Sequence, residues 1–158
     1  MIRNIKLLDL KTVTEFKEEF IKLSRKKLTL LSYDLVIFKE DFDHCWFEYG
    51  HGADYKQKFS IRRARRIPLI DLICNHQIDY EIIFESKRNK KTVAFISDLA
   101  EFCLIVLPIT NNKKRYFRLV TIIPFGKSVE PGIKKLIESG EKIQPKNLKR
   151  VFPKESEG

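Results

Sequence analysis

The chain has no CxxC pair, no glycine-rich phosphate loop and no apolar run approaching ~18 residues, and each absence removes a class of protein. Its three cysteines, Cys45, Cys74 and Cys103, are odd in number and widely spaced, which fits buried reduced thiols rather than a disulfide framework or a zinc knuckle. The six glycines are scattered, so no loop is built to cradle a nucleotide phosphate. No His/Cys/Asp cluster has metal-ligand spacing, and neither a metal nor another cofactor is expected. Met1-Ile2-Arg3-Asn4-Ile5-Lys6 leads into Lys11, Glu15 and Lys17 instead of an apolar stretch with a cleavage site, which predicts a cytoplasmic chain without a signal peptide. Acids are also scarce: 21 Asp and Glu face 31 Lys and Arg, a formal net charge of +10.

What is present suits one folded domain. The 158 residues are 43% hydrophobic and include twelve Phe, enough for a packed core. A pI near 9.5 points to RNA or another phosphate-rich polyanion as partner, and the missing apolar spans argue against a membrane.

Val13, Phe16, Phe20, Leu23 and Leu28 lie near helical spacing, predicting an amphipathic helix over 12–31. Leu35-Val36-Ile37-Phe38 reads as a strand, and Phe42, His44 and Trp46 alternate with Asp43, Cys45 and Phe47 as if 42–47 were extended. A loop follows over Tyr49 to Asp54. Ser60 is placed to cap a helix running from Ile61 to about Asn75, which Pro68 must kink or divide. Beyond it an antiparallel meander is expected: 80–84 with 92–96, then 103–109 with 116–124, joined by charged turns at 87–91 and 110–114. A short helix over 133–139 and a basic tail from Lys142 to Lys154 complete the chain. The expected class is α+β, with N-terminal helices packed on an antiparallel sheet of about four to five strands. Residues 1–126 form its single domain, and 127–158 the short helix and tail.

Between Phe42 and Pro68, His44 stands upstream of six cations, Lys56, Lys58, Arg62, Arg63, Arg65 and Arg66, with no acid after Asp54. Arginine forks match phosphate oxygens bidentately, and Arg62 and Arg66, four residues apart, share a helix face with Arg65 beside them. The cationic turns at 87–91 and 113–115, with Arg118, would extend this field across one end of the sheet. Histidine titrates near neutrality, so His44 suits proton transfer in RNA cleavage, with Arg62, Arg66 or Lys58 stabilising the phosphorane. The competing reading makes His44 a partly buried imidazole beside Trp46. His51, between two glycines, suits a shuttle or plain solvent exposure, and His76 reads as a helix terminus. On a strand Tyr116, Arg118 and Val120 share one face and Phe117, Leu119 and Thr121 the other, which makes Tyr116 a candidate proton donor or stacking platform and Arg118 a candidate phosphate ligand, the alternative being an ordinary strand with a half-buried Tyr. Asp71 with Glu85-Ser86-Lys87 is a further constellation, resembling the Mg²⁺-binding core of restriction-type DNA nucleases.

The order of parts resembles the phage and toxin branches of the barnase/EndoU/colicin D/RelE-like ribonuclease superfamily over roughly residues 35–125. The matching parts are Phe42-x-His44, then Phe59-Ser60-Ile61-Arg62-Arg63-Ala64-Arg65-Arg66-Ile67, then a sheet closing on Leu119-Val120-Thr121. The resemblance implies a helical part packed on a four-stranded antiparallel sheet and metal-independent RNA cleavage by 2′-OH attack, leaving a 2′,3′-cyclic phosphate. It implies His44 as general acid or base, Arg62 and Arg66 as phosphate holders, and Thr121 with Tyr116 near the closing-strand polar position. Pro68 interrupts the basic helix, and the later strands carry no second histidine. A toxin of this kind would take an acidic inhibitor protein over its basic helix. The alternatives are a non-catalytic nucleic-acid-binding or adaptor module on the same scaffold and, more remotely, an Mg²⁺-dependent DNA nuclease.

Overall fold

In the computed structural model, which describes residues 7–49, 57–75, 77–87, 90–98, 100–125 and 131–154, the first helix begins at a reciprocal cap. The Thr12 hydroxyl accepts from the Glu15 amide, and the Glu15 carboxylate accepts from the Thr12 amide, opening α1 (Val13–Ser24). The predicted helix over 12–31 therefore ends early. Leu28 belongs instead to β1 (Leu28–Leu30), which turns back through Leu31 and Ser32 into β2 (Tyr33–Val36). Both turn residues have positive φ, 49° and 76°, the twist a two-residue hairpin needs even though neither is glycine.

A 3-10 turn (Lys39–Asp41) leads into α2 (Phe42–Trp46), a helix where an extended segment was expected. Phe42, Cys45 and Trp46 are buried, an i, i+3, i+4 stripe that the alternation of Phe42, His44 and Trp46 had imitated. The hairpin of β3 (Phe47–Tyr49) and β4 (Gln57–Phe59) follows, then α3 (Ile61–Ala64) and α4 (Ile67–Cys74). Pro68 lies in the first turn of α4, where its missing N–H costs nothing, so it divides the predicted helix in two. The expected loop falls outside the described residues from Gly50 onward, as do His51, Lys56 and His76.

The meander forms as anticipated, as β5 (Glu81–Lys87), β6 (Lys90–Ser97), β7 (Phe102–Asn111) and β8 (Lys114–Pro124). Asn112 and Lys113, at φ 50° and 64°, turn β7 into β8. The sheet is larger than expected, however, and it is mixed. Its order is β1-β2-β8-β7-β6-β5-β9, with β2 parallel to β8 through Asp34↔Tyr116 to Val36↔Arg118. α5 (Pro131–Ser139) follows the meander, so the helices are not an N-terminal block. The residues expected as a basic tail pair as β9 (Glu141–Ile143) on β5, then bury Leu148, Val151 and Phe152. Phe152 packs on Phe117 at 4.9 Å between ring centroids.

Apolar side chains of both sheet faces are covered. On one face Phe95, Leu104, Phe117 and Ile122 meet Phe16 and Phe20 of α1 and Ile70 and Ile73 of α4 in the main core. On the other, Ile83, Ile96 and Cys103 meet Ile133 and Leu136 of α5 with Phe125. Gly140 joins α5 to β9 so closely that a Cβ there would collide with Ile83 Cγ2 and lie 2.6 Å from the Leu136 carbonyl. Gly140→Ala is expected to lower unfolding free energy by about 1–3 kcal/mol, read from urea denaturation.

Candidate functional site

The histidine lies on α2 and Arg62 and Arg63 on α3, helices at the two ends of one hairpin, while Arg65 and Arg66 form the break between α3 and α4. Phe47 pairs with Phe59, and the Ser60 amide donates to the Trp46 carbonyl at 2.6 Å, so the end of α2 and the start of α3 are pinned side by side. Ser60 caps α3 as expected, its hydroxyl accepting from the Arg63 amide at 3.3 Å. The hairpin is anchored by rings: Phe42 stacks on Phe59 at 5.9 Å, and Phe20 meets Trp46 edge-on at 5.9 Å.

Both helices lie against the second half of β8. β2 pairs with that strand only as far as Arg118, and beyond it α2 and α3 take over. Thr121 Oγ1 donates to the Cys45 carbonyl at 2.5 Å, and Arg62 Nη2 donates to the Pro124 carbonyl at 3.2 Å. A β-bulge makes the first of these bonds possible. Ile105 pairs with Thr121 but Val106 with Leu119, so Val120 is the extra residue, and Thr121 leaves the face of Phe117 and Leu119 on which strict alternation had put it.

His44 is exposed on α2, two residues before the pinned Trp46, and is not the half-buried partner of that ring. Among the described residues its imidazole makes no hydrogen bond or ion pair. The arginines are ordered by main-chain oxygens. Arg62 reaches Pro124, Arg65 Nε donates to the Leu8 carbonyl at 3.1 Å, and Arg66 Nη1 donates to the Arg62 carbonyl. The acceptors in these three bonds are neutral carbonyl oxygens. Burial lowers the Arg66 pKa, the fields of Arg62 and Arg65 lower it further, and Glu101 opposes them. Crowded like charges of this kind are relieved by a bound anion. Lys58 is exposed on β4, and Arg63 is half-buried on α3.

Two expected residues have other duties. Arg118 is engaged by Asp41 through two bonds of 2.8 Å, Nε to Oδ2 and Nη2 to Oδ1, with Phe38 4.5 Å from its guanidinium carbon. The hydrogen bond to Asp41 raises the Arg118 pKa despite desolvation. A forked guanidinium held by its own carboxylate locks the turn before α2 to the sheet, so a phosphate would have to displace Asp41. Thr121 is buried, and its hydroxyl donates to the Cys45 carbonyl, which ties β8 to α2. Tyr116 is half-buried beside Asp34, well before the Thr121–Pro124 stretch that receives α2 and α3.

The metal constellation does not assemble. Asp71 is held by Lys26 at 3.1 Å, and Glu85 by Lys87 at 3.3 Å. Among the described residues no three His, Cys, Asp or Glu side chains gather as ligands. Asp71 instead lines a cleft of about 510 Å³ between α1 and α4, floored by Leu23, Ile67 and Leu72, which none of the expected site residues borders. All three cysteines are buried thiols, and burial lifts Cys74 and Cys103 to about 12 and raises Cys45 as well. Such thiols are poor nucleophiles at neutral pH.

Asp41, Phe38 and Glu101 are the residues that sequence reasoning missed. Asp41 gave only a turn signal in Lys39-Glu40-Asp41, and its partner is seventy-odd residues away. Among the described residues no helix is long and apolar enough to cross a membrane. Comparison with protein-family models, with curated proteins and with solved structures found no match.

Proposed function

We propose that this chain is an RNA-directed, metal-independent endoribonuclease-like domain. The observation that carries the reading is the pinning of α2 and α3 to each other at Trp46–Ser60 and to the last turns of β8. It sets an exposed histidine on α2 and a crowded arginine cluster at 62–66 side by side against β8. In this reading the arginines hold the scissile phosphate, and His44 moves the proton of the attacking 2′-OH or of the leaving oxygen. Its test is incubation with total RNA in EDTA: cleavage leaving 2′,3′-cyclic ends supports it, and intact RNA sinks it.

A second reading, a binding module without cleavage, is favoured by one observation. Thr121 is committed to the Cys45 carbonyl, and Tyr116 lies opposite Asp34, five residues before the part of β8 that receives α2, which leaves His44 without an adjacent companion acid among the expected residues. Under either reading Arg62→Ala with Arg66→Ala is expected to weaken RNA binding and to reduce the slope of log affinity against log salt by about 2. An unchanged slope in a salt titration would remove the arginines from the interface.

A further inference from the structure

Lys87, Lys90, Lys91 and the 113–115 turn do not extend the arginine field across one sheet end, as the sequence suggested. They lie at the other end. β5 climbs to Lys87 and β6 returns from Lys90, while β7 climbs to Asn111 and β8 returns from Lys114. Antiparallel pairing of β6 with β7 brings both hairpin tips to the same edge of the sheet. From there β8 runs eleven residues to Pro124, the carbonyl that Arg62 holds. Leu107 to Ile109 lie level with Arg118 to Tyr116, so at ~3.3 Å per residue that end is roughly 25 Å from Pro124.

At the tip end there is a groove of about 380 Å³. Leu107, Ile109 and Pro153 supply an apolar floor, and Lys87, Lys90 and Lys91 supply the rim. Lys87 has Glu85 as a partner at 3.3 Å, but among the described residues no carboxylate pairs with Lys90 or Lys91. A small apolar depression ringed by uncancelled ammonium groups has the chemistry of a seat for a flat ring bearing phosphate. It is too small for a helix of a partner protein, whose diameter is about 10 Å or more.

We propose that this groove is a second contact for a single-stranded RNA already held by the arginines, seating one base on the apolar floor and the flanking phosphates on Lys90 and Lys91. The proposal rests on the polyanion reading of the arginine cluster. A stacked strand rising ~3.4 Å per nucleotide needs roughly seven nucleotides to bridge the two regions, and an extended one somewhat fewer, so affinity must depend on length.

The test is fluorescence anisotropy with 2′-O-methyl RNA, which cannot supply the attacking hydroxyl. Oligonucleotides of about 4 and about 20 nucleotides are compared across salt concentrations. The long strand is expected to bind tighter, with the steeper salt slope. Lys90→Glu with Lys91→Glu is expected to weaken the long strand about tenfold or more and to leave the short one within about twofold. Ile109→Ser, which changes no charge, is expected to weaken the long strand alone, with circular dichroism confirming an unchanged fold. If long and short strands bind alike, or if neither groove variant matters while Arg62→Ala with Arg66→Ala does, the groove is overturned and the arginine site stands. If the lysine pair matters and Ile109→Ser does not, the rim is only part of a diffuse field and no base is seated there, which also overturns the proposal. Loss of all binding to both lengths by wild type would instead overturn the arginine reading on which it rests.

Discussion

His44→Ala is expected to lower RNA cleavage in EDTA by about 100- to 10,000-fold, the usual contribution of a positioned acid–base group. RNA affinity should stay within about twofold, because the arginines proposed to hold phosphate are untouched. The variant reads cleanly because of where the side chain stands. The imidazole is exposed on α2 and has no hydrogen-bond partner among the described residues, so its removal empties no space in the core. Alanine is also the better helix former, and stability should change by no more than about 0.5 kcal/mol. Single-turnover cleavage and equilibrium binding, measured on the same preparation, separate the two readings. Lost cleavage with retained binding assigns the proton transfer to His44. Cleavage that survives the substitution removes His44 from the chemistry, and wild-type binding without cleavage makes this a binding module.

Trp46→Ala is expected to do the opposite and damage everything together. The ring is fully buried, edge-on to Phe20, in the layer that joins α1 to the β3–β4 hairpin. Truncation should cost about 3–5 kcal/mol. In a chain of this length that lowers the melting temperature by about 6–20 °C. Trp46 is also the hinge between the two site helices, since its carbonyl receives the Ser60 amide. A collapsed or shifted ring layer would move His44 relative to Arg62, so cleavage and binding should both fall even well below the melting temperature. Trp46→Phe keeps an aromatic ring and removes an indole N–H that is buried with no acceptor among the described residues. It should therefore cost less than half as much as alanine. Equal losses for the two variants, in a thermal melt followed by circular dichroism, would mean that ring packing is not what holds the helices together.

The meander was legible because its strands are short apolar runs and its turns are marked by charge and Asn. The Ser60 cap and the division at Pro68 were legible because caps and prolines act within a turn of themselves. The helix over 42–46 was misread because five residues satisfy period 2 and period 3.6 almost equally well. Only the burial of Cys45 with Phe42 and Trp46 decides between them. The parallel β2–β8 pairing leaves no local mark, since it joins segments far apart in sequence. The same holds for β9, whose three residues become a strand because β5 offers them an edge. Of the candidate site, the basic helix and the histidine were readable as chemistry. Asp41's hold on Arg118 and the bulge that redirects Thr121 are tertiary events, and they changed the roles assigned to both residues.

The place of β8 has a consequence for synthesis on the ribosome. It is the strand that α2, α3 and β2 all lean on, yet it is translated roughly eighty residues after β2, a large separation for a contact of this kind. Until Pro124 has left the exit tunnel, α2 and α3 have each other and the rings of α1, but not the Thr121 and Pro124 partners that tie them to the sheet. The nascent chain therefore carries both helices for much of translation without the strand that fixes their final arrangement. A chain truncated before β8 should keep the aromatic hairpin and lose the register between His44 and Arg62.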